Sequence, residues 1–171
     1  MKKINNEENN YGEKGRKSLE TVKKETSNIF EDATSDKEFS KSFLTELINK
    51  NEKLSYELAN ALMLIQMDLE KTLTNNIEKI KKYRILIITL GIISMTTAII
   101  NGYIGLIACM AYAGITCITA KKRNKLLEES ENKIKETQKL VLEINSINNN
   151  IANNNMLITR KLNTLNDKET E

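Results

Sequence analysis

Proline, histidine and tryptophan are absent from the 171 residues, and glycine occurs only six times. Without proline nothing interrupts a helix, and so few glycines cannot supply the turns of a strand-and-turn fold. Long continuous helices are the expectation. The lack of histidine, with only two cysteines, removes most metal-ligand sets and nucleophile–base pairs. Cys109 and Cys117 read as small apolar residues, not as a disulfide framework. A large excess of one charge is also missing: 26 basic residues stand against 23 acidic ones. That balance argues against the concentrated positive footprint of nucleic-acid binding. The six glycines never fall into a phosphate-cradling loop. An enzyme is therefore not expected, and neither is a cofactor, a metal or a small-molecule substrate.

The residues present divide the chain into five segments. Residues 1–34 are polar and read as mostly disordered, with a possible short amphipathic helix on Leu19, Val22, Ile29, Phe30 and Ala33. Their opening, "MKKINNEENN", has no apolar core and does not read as a secretory signal. Ser35 and Glu38 have capping-box spacing and predict a long amphipathic helix over 35–84. Its stripe, from Leu47 through Asn51, Leu54, Leu58, Leu62, Ile65, Leu69, Leu73 and Ile77 to Ile80, recurs about every 3.67 residues, close to an eleven-residue repeat. A heptad helix is expected over 121–166. One series is Leu127, Ile134, Val141, Asn148, Asn155 and Leu162; its companion is Ser130, Thr137, Ile144, Ile151, Ile158 and Leu165. Asn on such a seam lowers stability but fixes register. Residues 167–171 read as a disordered tail.

Between these helices lies "RILIITLGIISMTTAIINGYIGLIACMAYAGITCITAKKR", with no Asp, Glu, Lys or Arg between Arg84 and Lys121. Residues 85–120 predict an apolar helical hairpin turning at Asn101 and Gly102. Nine Leu or Ile residues in 85–100 favour bilayer insertion by about 0.3 to 0.6 kcal/mol each. The weaker second arm carries Gly105, Cys109, Ala113 and Cys117 at intervals of four, a small-residue face that lets another helix approach. The basic residues Lys81, Lys82, Arg84, Lys121, Lys122 and Arg123 flank the block and none lies near its turn. The positive-inside rule then predicts an integral membrane protein with both termini cytoplasmic. With the turn centred between Asn101 and Gly102, residue i faces residue 203 − i. The long helices then either zip together within one chain or pair with another.

The expected fold is all-α: two long helices joined through a transmembrane hairpin, with cytoplasmic coiled-coil arms and a mobile N-terminal segment. This layout resembles in outline the inclusion-membrane proteins of intracellular bacteria. Phage holins and helical haemolysin-type toxins also pair apolar hairpins with helices. The leading functional expectation is a membrane-anchored coiled-coil scaffold or tether whose partners are the lipid membrane and either its own copies or another coiled-coil protein. Alternatives are an oligomeric pore former, holin-like or toxin-like, and a soluble bundle whose hairpin a partner buries.

Overall fold

The computed structural model describes residues 10–35 and 39–170. Among them the chain is all-α, with three helices: α1 (Tyr11–Thr34), α2 (Lys41–Ile100) and α3 (Gly102–Thr170). The two long helices pack together. The chain forms two compact units. One holds residues up to Asp68 and from Thr137 onward; the other is Leu69–Glu136.

In the first unit, α1 begins at Asn10, whose Oδ1 accepts from the Glu13 N–H at 3.3 Å. It ends at Ser35, whose N–H donates to the carbonyls of Glu31 and Asp32. Its buried residues, Gly12, Gly15, Leu19, Val22, Thr26, Ile29 and Ala33, alternate steps of three and four. This is one helix of 24 residues, where the sequence suggested a short one. The seam was hard to read because Gly12, Gly15, Thr26 and Ala33 bring little apolar signal. What the glycines bring is proximity: a Cβ on Gly15 would lie 2.8 Å from Ile65 Cγ1 and 3.1 Å from the Ala61 carbonyl.

Helix α1 runs antiparallel to α2, Gly12 lying by Asp68 and Gly15 by Ile65. It runs parallel to α3, where Lys23 pairs with Glu143 and the Lys161 ammonium donates to the Ser35 carbonyl at 3.1 Å. The hydrogen bond to Glu143 holds Lys23 above its ordinary range.

Helix α2 starts behind Ser40, whose Oγ accepts from the Phe43 N–H at 3.2 Å. The expected cap, Ser35, closes α1 instead, and Glu38 lies outside the described residues. In this unit α2 buries Leu44, Leu47, Asn51, Leu54, Leu58, Ala61 and Ile65, a 3.5-residue repeat in place of the expected 3.67. Ala61 occupies the position the stripe assigned to Leu62, which is half-buried. On α3 the buried set is Thr137, Ile144, Ile147, Ile151, Asn154 and Ile158.

The second unit is an antiparallel pair. Asn76 Nδ2 donates to Ser130 Oγ at 3.0 Å, Ser94 Oγ lies 3.2 Å from Cys109 Sγ, and Ala98 meets Gly105. Near the turn, residue i thus faces residue 203 − i. Asn101 alone separates α2 from α3. Its N–H donates to the Thr97 carbonyl at 3.0 Å, closing one helix. Its Oδ1 accepts from Tyr103 and Ile104 N–H at 3.1 and 3.3 Å, opening the next.

Candidate membrane interface

The arms of the hairpin leave most of their apolar surface uncovered. Ile92, Met95, Ile99 and Ile100 on α2 are 62% to 87% exposed, and Tyr103, Leu106, Met110 and Ile118 on α3 are 58% to 78% exposed. In the most apolar 18-residue stretch of each helix, only 6% and 11% is buried. Two helices in antiparallel contact cover one stripe of each, and no third helix packs here among the described residues. A soluble monomer seldom presents so large a contiguous apolar patch unless it meets a partner or a membrane.

Three of the hydroxyls within the arms are satisfied locally, whereas the buried Thr116 Oγ1 has no partner. Thr96, Thr97 and Thr119 donate to the carbonyls of Ile92, Ile93 and Ile115, one turn back, at 2.8 to 3.0 Å. Such bonds need no water and are compatible with hydrocarbon. Between the arms the contact is close: a Cβ on Gly105 would fall 2.2 Å from Ala98 Cα, and one on Gly91 3.3 Å from the Tyr112 hydroxyl. Of the small-residue face, Gly105 is buried and Cys109 meets Ser94, whereas Ala113 and Cys117 face outward. The inner stripe of α3 instead continues through Tyr112, Thr116 and Thr119. Eight residues of helix, about 12 Å, separate Cys109 from Cys117, too far for a disulfide within the chain.

The six flanking cations, Lys81, Lys82, Arg84, Lys121, Lys122 and Arg123, are all exposed and gather at the base of the hairpin, since Lys82 faces Lys121 under the same register. Glu78 pairs with Lys82 at 2.8 Å, and that contact holds its carboxyl below the usual carboxylate range.

The predicted heptad residues are divided. Ile144, Ile151 and Ile158 are buried, and Thr137 with them; Ser130, Val141, Leu162 and Leu165 are half-buried. Leu127 and Ile134 are 51% and 37% exposed, and Asn148 is exposed. Ile147 and Asn154 are buried one residue before Asn148 and Asn155, because α3 in this unit meets α1 as well as α2 and its contact stripe is turned accordingly. Asn155 still contributes: its Oδ1 accepts from Asn51 Nδ2 at 2.8 Å, and the same Nδ2 lies 2.7 Å from the Ile151 carbonyl. Sequence periodicity missed Asn154, which bridges to α1 by donating to the Thr26 carbonyl at 3.0 Å.

Helices that bury a thin heptad seam and expose their most apolar segment define a membrane-acting helical protein. The haemolysin E family profile matches residues 19–170, and the chain belongs to that family. Neither a characterised protein nor a solved structure matches it. Haemolysin E proteins are non-enzymatic pore-forming toxins, soluble before they oligomerise into membrane pores. The family assignment overturns the scaffold reading. It also overturns the expected localisation: these toxins are secreted and insert into target membranes, so a cytoplasmically anchored integral protein is not what the hairpin denotes. The positive-inside argument assumed insertion during synthesis from the cytoplasm, a premise that a secreted, later-inserting protein does not meet.

Proposed function

We propose that residues 85–120 are the membrane-entering part of a pore-forming toxin, inserting as a hairpin while copies of the chain assemble. The observation that carries this is the uncovered apolar surface of both arms beside a complete lack of charge from Ile85 to Ala120. The arms, 85–100 and 102–120, are about 24 and 28 Å of helix, and Tyr83 to Asn101 is about 28 Å, near the roughly 30 Å of a hydrocarbon core. The cations at its base fit the headgroup level, each worth about 1 kcal/mol on an anionic leaflet. Leu127 and Ile134, exposed outside the hairpin, are the seam residues we assign to contact between copies.

The test is release of dye and of graded dextrans from phosphatidylcholine vesicles, with and without anionic lipid, by the full chain. Release with a size cut-off is expected, steeper than first order in protein. Vesicle-bound protein that releases nothing refutes the proposal.

A further inference from the structure

We propose that a groove between α1 and α3 in the first unit is a binding site for a neutral saccharide. The groove has a volume of about 410 Å³ and is lined by Thr26, Ser27, Phe30 and Glu31 of α1 and Asn150, Asn153 and Asn154 of α3. That volume lies within the range of small-molecule sites.

The chemistry of the lining is selective. From Ile144 to Thr159 α3 carries no charged residue, in a chain that is 29% charged. Glu31 is the sole ionisable group of the lining, so an anion such as phosphate finds no cation here. Asn150 and Asn153 are exposed and make no hydrogen bond among the described residues. Each amide offers both donors and an acceptor, the combination that matches a pair of neighbouring hydroxyls. Thr26 and Ser27 donate their hydroxyl protons to the Val22 and Lys23 carbonyls at 2.7 and 3.2 Å, so they face a ligand as acceptors. Asn154 is 1% exposed and its Oδ1 has no partner, although its Nδ2 is bonded to α1. That oxygen has almost no accessible surface, so Asn154 closes the floor of the groove and the contacts to a ligand fall to Asn150, Asn153 and Phe30. Phe30 is 47% exposed beside these amides. An aromatic face amid uncharged donors and acceptors fits a pyranose, whose one side is C–H and whose rim is hydroxyl.

Such a site would give the toxin an address on a glycan-coated surface. In that use it rests on the pore-forming reading, but its binding does not. The experiment is a glycan array probed with the full chain, followed by calorimetric titration of the best neutral oligosaccharide. Three variants accompany it: Asn150→Ala with Asn153→Ala, Phe30→Ala, and Gln138→Ala as a control outside the groove. These side chains are largely exposed, and circular dichroism checks that helix content is kept. We expect neutral glycans to bind, at least tenfold weaker binding in the first two variants, and unchanged binding in the third. Release from glycan-free vesicles stays the same in all, which separates this site from the hairpin. Vesicles bearing the matching neutral glycolipid, compared with the free sugar, distinguish a lipid-borne from a soluble source. The proposal is overturned by an array with no neutral glycan bound, by preference for anionic glycans, or by equal binding in all variants. It is equally overturned if the groove variants instead abolish self-association, which would make the occupant a second copy.

Discussion

Ile92 and Ile99 offer a direct test of which surface meets lipid. They are 62% and 87% exposed, so Ile92→Asp and Ile99→Asp remove little packing from the soluble state. Surface changes of this kind usually move stability by no more than about 0.5 kcal/mol. In a bilayer the balance reverses. Near the centre of a spanning helix, where Ile92 lies, an isoleucine contributes about −0.3 to −0.6 kcal/mol and an aspartate about +2.5 to +3.5, a difference of about 3 to 4 kcal/mol; Ile99, one residue from the end of α2, costs less. Nine Leu and Ile residues give the first arm at most about −3 to −5 kcal/mol in total, so the double variant, led by Ile92→Asp, offsets most of its insertion tendency. Dye release from vesicles should fall at least a hundredfold, while the thermal midpoint of the soluble protein shifts by no more than a few degrees. Full release by a double variant that retains its fold would refute the hairpin as the inserting element, whatever its hydrophobicity.

Three further outcomes follow from the packing. Gly105→Leu must displace Ala98 backbone atoms that already lie 2.2 to 2.8 Å from a Cβ; overpacking costs about 1 to 3 kcal/mol, and spin labels near the turn should report separated arms. Ile144→Asp with Ile151→Asp places two carboxylates in a core where these residues are 5% and 2% exposed, so loss of cooperative unfolding by circular dichroism is expected before any effect on association can be read. Acid titration tests the exposed pairs. The partners Lys17, Lys82 and Lys135 hold Glu13, Glu78 and Glu131 low, so their contribution is present above the ordinary carboxylate range and is lost as pH falls through the lowered values. All three are at the surface, and helix content measured down to pH 3 should decline only slightly.

Much of the fold was legible because composition and charge report the backbone directly. The lack of proline implied long helices, and the uncharged block located the hairpin and its turn at Asn101. The antiparallel register followed from that turn, and Ser94 does meet Cys109. Other features were hidden by side-chain chemistry. The seam of α1 is built on Gly12 and Gly15, which hold α1 close to α2 without an apolar signal. The rotation of the α3 seam onto Ile147 and Asn154 depends on a third helix packing against it, which a two-helix periodicity does not anticipate. Sequence reasoning located the apolar hairpin but assigned it to an anchor, which the family assignment overturns. Hydropathy measures whether a helix is stable in lipid, and it does not record when or from which side the helix arrives.

The family assignment resolves that ambiguity, and the geometry is compatible with it. An anchor begins in the bilayer, so its apolar surface never needs a covering in water. A protein that is soluble first must carry the same surface exposed. The first unit has a modest core, a heptad seam interrupted by Asn51, Thr26 and Asn154. Two antiparallel helices joined by one residue can hide only the stripe between them, here Ile87, Leu90, Gly91, Ser94 and Thr97 of α2 and Gly105, Ala108 and Tyr112 of α3. Beyond Ile87 and Leu90 the residues along that stripe are small or polar, whereas Ile92, Ile99, Leu106 and Ile118 point away from it. Near the turn the hairpin thus has small and polar residues inside and most of its Leu and Ile outside, the reverse of a soluble core. In the pore we propose, lipid and further copies of the chain cover that outer surface.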